Sequence, residues 1–416
     1  MRGPPRSSAS GRERWHNAKQ ERNEKEMTSY RPSERRWTFI LLLYLCLIYL
    51  PFIISRSDSA ESFLQGDSYY YRAVIDSLLD DGDLLIANNI LADPLNGQLA
   101  IGKDGFVPKH PILLSLVSMP FYMMFGTPGL LLFNILDCML LIVLIFKLNC
   151  LFFHRLIALI SAAIYATGTL FLDYAYNYSP DIFSTVLLLS ALYLIFCERF
   201  YLGAILLGLS VFAKIPNALL AAVILAYVGF TIFKGKSTGG SVQEPFRNKV
   251  MVGLTTAVLF MIALAPLAYT NLKLFGSPMI TGYQRTAVAG SDGQMLSVDH
   301  SAKFNQPLFK GIYLSLFAPR NGIIPTNPVL ILAFSGVIWF KRVRPREKAF
   351  SILLICLVQF LLFAKYDEWY TSHFSNRFLM TFIALSSVFA SNFLNYFLHK
   401  YSFTTQLGVD WEPVDP

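Results

Sequence analysis

The sequence predicts an all-α polytopic membrane protein of about ten transmembrane helices, with two juxtamembrane helices in its first external loop. Three observations carry that prediction. Hydrophobic residues make up 54% of the 416 and charged residues 15%, with a mean hydropathy of +0.46; soluble domains carry about a quarter charged residues. Apolar runs of about 18–22 residues, long enough to cross a hydrocarbon core, recur from Trp37 onward. Lysine and arginine gather in alternate loops, the pattern of the positive-inside rule.

The first 36 residues differ from all that follows. They hold ten Lys and Arg and no sustained apolar run, the composition of a disordered basic tail that stays in the cytoplasm. A translation start at Met27 would leave a shorter flank of the same kind. The first span, 37–55, is too long for a signal peptide and lacks a clear cleavage site. The external loop 56–127 then contains a second apolar run, 111–126. It has 16 residues, an internal Pro120 and flanking Pro and Gly, which suits a helix lying on the surface. Charge decides the point. With that run outside, the spans fall at roughly 128–147, 155–172, 181–197, 201–213, 216–233, 250–270, 323–340, 349–364 and 378–398. The cytoplasmic side then collects 23 of the 35 Lys and Arg, and the outside 12. If the run crosses, the split becomes 18 to 17. Residues 37–398 thus form one transmembrane domain with both termini cytoplasmic, a long external loop at 271–322 and a C-terminal tail at 399–416.

This topology absorbs the net charge of +8, which needs no nucleic acid to explain it. The five cysteines lie in or at the ends of apolar runs without CxxC or Cys/His ligand spacing, so they read as small core residues. The chain has no Walker loop, no GxSxG, HExxH or HxxxxD spacing, and no His within a span. Secondary transporters place charges near the midplane. Here the spans hold almost no ionisable residue except Asp137, and the charges gather outside, which favours an enzyme or a receptor over a conduit.

The external loops carry the candidate residues. Asp67, in the run Gly66-Asp67-Ser68-Tyr69-Tyr70-Tyr71 just beyond the first span, begins a helix. Tyr70, Tyr71, Val74, Ile75, Leu78 and Leu79 form an apolar stripe that would lie on the membrane, and Asp67 shares the face of Tyr70 and Tyr71. Two roles are open to Asp67: an N-cap, ordinary for Asp after Gly, or an acid–base group aimed at a lipid headgroup. Lys109 and His110 enter the second surface helix between two prolines. Lys109 is a point charge suited to phosphate or an interfacial lysine snorkelling beside proline; His110 is a ligand or an interfacial polar residue. Asp181 follows Tyr174, Tyr176 and Tyr178 at a Ser-Pro-Asp helix start, where a helix-dipole contact is equally natural. Lys214 marks the next external corner, and Tyr283 and Arg320 lie among the Gly and Pro turns of the long loop. Trp369 stands beside acids, as a sugar-stacking group or as an interfacial anchor.

In their order these segments resemble the GT-C superfamily of integral-membrane glycosyltransferases, of the protein-mannosyltransferase and lipid A aminoarabinose-transferase type. The resemblance covers about residues 37–398. It is carried by GDSYYY and SLLDDGDL in the first loop, the KHP entry, then YSPDIFSTVLLLSALYL, LSVFAKIPNALL, LKLFGSPMITGYQ, LFAPRNGIIPTNPVL and SNRFLMTFIAL. It implies that Asp67 is the general base and that Lys109 approaches the donor phosphate, and it lends Asp181, Lys214 and Arg320 weaker support. Many members carry a second acid directly after the base. Ser68 stands there in this chain, which puts a two-carboxylate mechanism in doubt and gives no indication of a divalent metal.

The expectation is an inverting transfer of a sugar from a polyprenyl-phosphate donor to an acceptor on the external face of a bacterial plasma membrane. Asp67 would be the base, and Lys109, His110, Lys214 and Arg320 would surround the donor phosphate. Tyr70, Tyr71, Asp181, Tyr283 and Trp369 would contact substrate, with no cofactor and no metal. The reading from another class is a non-catalytic transporter or flippase of lipid-linked sugars, which would need groups along the spans such as Asn134 and Asp137. Neither the sugar nor the acceptor is legible, since selectivity would sit in the loop 271–322.

Overall fold

The computed structural model describes residues 34–51, 64, 66–91, 95–234, 246–290, 294–368 and 375–400. Helices dominate it. The long ones are α1 (34–49), α2 (Asp67–Asp80), α3 (Leu113–Phe125), α4 (Thr127–Asn149), α5 (Arg155–Gly168), α6 (Pro180–Phe196) and α7 (Phe200–Ala213). They continue with α8 (Asn217–Lys234), α9 (Phe246–Phe275), α10 (Leu308–Phe317), α11 (Leu330–Ile338), α12 (Arg346–Ala364) and α13 (Met380–Lys400). Five helices among the described residues are long and apolar enough to cross a membrane: Thr127–Asn149, Asn217–Lys234, Arg247–Phe275, Arg346–Ala364 and Arg377–His399. Local chemistry sets where they start. Ser179 caps α6 by accepting from the Asp181 N–H at 3.2 Å, with Pro180 at the first helical position.

Ion pairs between helix ends sort the bundle into two faces. Glu34 at the start of α1 meets Lys147 at the end of α4 at 2.5 Å. Lys234 at the end of α8 meets Glu347 at the start of α12 at 3.0 Å, and Lys348 donates to the Phe196 carbonyl at the end of α6 at 2.8 Å. These ends share one face. At the other, Tyr49 near the end of α1 donates to the Ala166 carbonyl near the end of α5 at 2.7 Å. Near the start of α4, Asn134 donates to the carbonyls of Tyr174 and Ala175 at 2.8 and 2.9 Å. So α1 ends and α4 begins on the same face, and the described residues between Asp67 and Phe125 form a cap on it.

The cap contains an element that corrects the all-α expectation. Strands β1 (Asn96–Ile101), β2 (Phe106–Pro108), β3 (Thr286–Ala289) and β4 (Met295–Val298) form an antiparallel sheet in the order β2-β1-β3-β4. Two strands come from the first loop and two from the long loop 271–322. The junction pairs Asn96 with Val288 and Ala100 with Thr286. Each strand is only three to six residues long, too short to signal itself by alternation, and the decisive pairing is between segments far apart in sequence. The sheet fixes the long loop against the helix that carries Asp67.

A second correction concerns α2. Tyr70, Tyr71, Val74 and Ile75 are buried, but protein covers them where a membrane surface was expected. Ser115 of α3 donates to the Tyr71 carbonyl at 2.8 Å, and Asn96 of β1 donates to the Tyr70 hydroxyl. Leu79 alone of the stripe stays largely open, at 42% exposure.

Candidate active site

Gly66, with φ 56°, is the N-cap of α2, and no side chain caps that helix end. Glycine adopts this left-handed conformation without steric cost. Asp67 is therefore not the cap, and its carboxylate is free for other partners. It accepts from Arg377 Nη2 at 2.7 Å. The same guanidinium places Nε 3.7 Å from Asp181 Oδ2, so one arginine bridges carboxylates from the starts of two separate helices. Asp181 is buried and also accepts from Ser179 Oγ at 3.0 Å and from the Lys214 ammonium. Lys214 in turn lies 5.5 and 5.4 Å from the ring centres of Phe363 and Phe378, a cation–π setting that stiffens the corner.

His110 faces Asp67 from the other side. Its ring stacks on Tyr71 at 5.6 Å, Nδ1 shares a 2.9 Å hydrogen bond with the Tyr283 hydroxyl, and Nε2 lies 3.7 Å from Asp67 Oδ1. That Nε2 is buried without a hydrogen-bond partner among the described residues. Tyr283 reaches it because Gly282 packs directly on the Lys109 backbone; a Cβ there would sit 2.4 Å from the Lys109 carbonyl oxygen. Lys109 is buried, donates to the Gly97 carbonyl at 2.9 Å, and lies 3.2 Å from His300 Nδ1.

Electrostatics separate the roles. Burial disfavours the charged form of Asp67, yet the Arg377 guanidinium, with His110 and Lys109, outweighs it and holds the carboxyl well below the ordinary carboxylate range. Burial also lowers His110, to about 4, against the attraction of Asp67, so the imidazole is neutral at pH 7. Lys109 is lowered by burial, with Asp67 pulling the other way. Among the described residues no group of three or more His, Cys, Asp or Glu converges as a metal site.

The His110 environment predicts a pH dependence of stability. Its folded value lies below its unfolded value of about 6.5, so the unfolded chain binds the proton first. Stability is full above pH 6.5 and falls as pH drops toward 4, by roughly 3 kcal/mol in all. Thermal unfolding in detergent at pH 7 and pH 4.5 should show this loss, and His110→Gln should reduce it. Equal pH dependence in both proteins would mean that another group titrates.

Beside the cluster lies a shallow open cleft, with Lys109, His110, Phe212, Ile215, Leu267 and Leu274 among its lining.

No protein-family model matches the chain, and no curated protein matches it. Solved structures do. The oligosaccharyltransferase of Archaeoglobus fulgidus in its apo form aligns with a TM-score of 0.57 at 15% identity, over 92% of this chain and 53% of that one. ArnT from Cupriavidus metallidurans bound to undecaprenyl phosphate gives 0.56 at 12% identity, over 87% and 62%. The fold is the one these solved structures share. The Archaeoglobus enzyme tethered to an acceptor peptide gives 0.55 at 16%, over 89% and 51%. This chain spans between half and two thirds of the length of these proteins, and at such identities the likeness is one of fold.

Within this fold the expected residues divide. Asp67, His110, Tyr71, Tyr283, Asp181 and Lys214 form one connected cluster, with Lys109 at its edge. Tyr70 is next to it but is engaged by Asn96. Arg320 is exposed; its carbonyl accepts from Ser375 N–H at 3.4 Å, two residues before Arg377. Trp369 lies outside the described residues. Ser68 turns inward and donates to Asn177 Oδ1 at 3.0 Å and to the Tyr178 carbonyl. The carboxylate linked to Asp67 through Arg377 is that of Asp181. Of the SLLDDGDL acids, Asp81 accepts from Asn88 and Asn89 and Asp83 from Ser77 and the Leu85 N–H, so they build a turn. Arg377 is the site residue that sequence reasoning missed. Its one signal is a lone arginine after Asn376, directly before an apolar run.

Proposed function

We propose that this chain is an inverting glycosyltransferase that moves a sugar from a polyprenyl-phosphate donor to an acceptor on the external face of a bacterial plasma membrane. The observation that carries the reading is the half-buried, ionised Asp67 set in one cluster with Arg377, Lys109 and Lys214 beside an apolar cleft. The acceptor hydroxyl gives its proton to Asp67 as its oxygen bonds to the anomeric carbon. The bond from that carbon to the phosphate oxygen breaks, and its electron pair leaves on the phosphate. Lys109 and Arg377 stabilise that charge, with Arg320 at the rim. His110 and Lys214 hold Asp67 and Asp181 in register for the donor, and Tyr71 and Tyr283 wall the sugar site. The prenyl chain occupies the cleft toward Leu267 and Leu274, consistent with the undecaprenyl phosphate bound to the Cupriavidus protein. No cofactor or metal enters this scheme. The flippase reading is weakened at Asn134, whose amide is consumed in clamping the loop before Asp181.

The decisive assay incubates the purified protein with a polyprenyl-phosphate sugar and a membrane extract as acceptor. Acceptor-dependent release of polyprenyl phosphate, with inverted configuration in the product, is expected. Movement of intact donor across vesicles without bond cleavage would sustain the flippase instead.

The membrane reading assigns ten spans, α1, α4 to α9 and α11 to α13, with α2 and α3 in the external cap and both termini cytoplasmic. Cysteines at Leu91 and Met279, exposed at 101% and 81%, should react with an impermeant thiol reagent from outside. One at Asn248, exposed at the start of α9, should be protected until the membrane is opened. Reversal at Met279 and Asn248 would place 111–126 across the membrane and separate the long loop from Asp67.

A further inference from the structure

The face opposite Asp67 carries a second organised cluster, and from it we infer that the segment 341–346 is a headgroup site for an anionic phospholipid. The inference rests on the membrane-spanning reading of these helices and not on sugar transfer. Lys341, Arg342, Arg344 and Arg346 fall within six residues, and all four are exposed. No ion pair among the described residues neutralises them, and the adjacent Glu347 is engaged by Lys234 at 3.0 Å. Arg344 Nη1 and Arg346 Nη2 both donate to the Lys341 carbonyl, at 3.2 and 3.5 Å. Two guanidinium groups are thus gathered on one oxygen. Like charges so close repel each other at a low-dielectric boundary, and an anion lying between them reverses the sign of the interaction. Planar forks of this kind suit the oxygens of a phosphodiester.

The surroundings identify the anion as a lipid. Arg342 lies 4.7 Å over the ring of Tyr396, which stacks on Trp339 at 4.5 Å, an aromatic set appropriate to headgroup depth. Arg346 heads a face of α12 that continues through Phe350, Leu354 and Leu357, at helical spacings of four, four and three. These three apolar residues are 58%, 36% and 50% exposed. At the end of α11, Ile338 is 77% exposed. A row of bare apolar side chains ending in converged cations matches acyl chains ending in a negative headgroup. Free phosphate would satisfy the cations and leave the apolar row without purpose.

The test uses the purified full-length chain in detergent with equimolar phosphatidylglycerol and phosphatidylcholine, and counts retained lipids by native mass spectrometry. The wild type should retain phosphatidylglycerol preferentially. Arg344→Gln with Arg346→Gln should cut that preference about fivefold for each charge removed. Arg344→Lys with Arg346→Lys should keep most of it, and Arg247→Gln with Lys249→Gln, at another helix start on the same face, should keep all of it. Equal lipid selectivity in the double Gln protein would overturn the site, as would displacement of the lipid by excess inorganic phosphate. Should the Gln pair unfold, Phe350→Gln decides: the site requires weaker retention of phosphatidylglycerol.

Discussion

Asp67→Asn is expected to slow sugar transfer by about 10²–10⁴-fold, the usual contribution of a positioned general base, while donor binding changes by only a few-fold. Asparagine keeps the shape and an oxygen for Arg377, and Asp181 remains 3.7 Å from the same guanidinium, so the cluster keeps a countercharge. What is lost is the group that takes the proton. Single-turnover transfer with saturating donor is the measurement, and a rate within tenfold of wild type would remove Asp67 from the base role. A carboxylate tied to arginine is ionised but weakly basic, because its own acidity is raised. The entering phosphate relieves this by competing for Arg377 and returning basicity to Asp67 in the bound complex. The acid limb of kcat, which reports the complex, should therefore lie at higher pH than that of kcat/KM, which reports the free protein. Coincident limbs would show that the donor leaves the Asp67–Arg377 pair intact.

Much of the bundle was legible because hydropathy is a local signal. A run such as Thr127–Asn149 announces itself whatever it packs against. The cap was legible only where a residue type spoke alone: Gly before Asp at 66–67, and Lys-His between two prolines. The four short strands escaped because strand alternation needs length, and their order depends on a partner almost two hundred residues away. The α2 stripe reads in the sequence as a face lying on the membrane, whereas protein covers most of it, since an amphipathic pattern reports that a face is covered and not what covers it. Arg377 escaped for the same reason as the strands. Its meaning lies in Asp67 and Asp181, and nothing within its own loop points to either.

Replacing Arg377 should have the largest effect on stability. Arg377→Gln leaves Asp67 half-buried beside a neutral His110, with Lys109 turned toward Gly97 and His300, and breaking such a pair from one side costs up to roughly 3–5 kcal/mol, the figure for full burial. The pH dependence of that cost separates electrostatics from packing. In the wild type the folded Asp67 value is depressed, so its stabilisation is present above the unfolded value and is lost only as pH falls through the folded one. Without the guanidinium, burial is the main influence left and raises the folded value above the unfolded one. The sign then reverses: the variant is most stable when Asp67 is protonated and loses stability as pH rises through the new folded value. Loss of a neighbouring cation also eases protonation of His110, which acts in the same direction. The gap between wild type and Arg377→Gln should therefore be wider at pH 8 than at pH 5, read by thermal unfolding in detergent. Asp67→Asn in the Arg377→Gln background should recover part of the loss at pH 8, because the unpaired charge is gone. A gap of equal size at both pH values would mean that Arg377 supports the cap by packing alone, and that another group keeps Asp67 ionised.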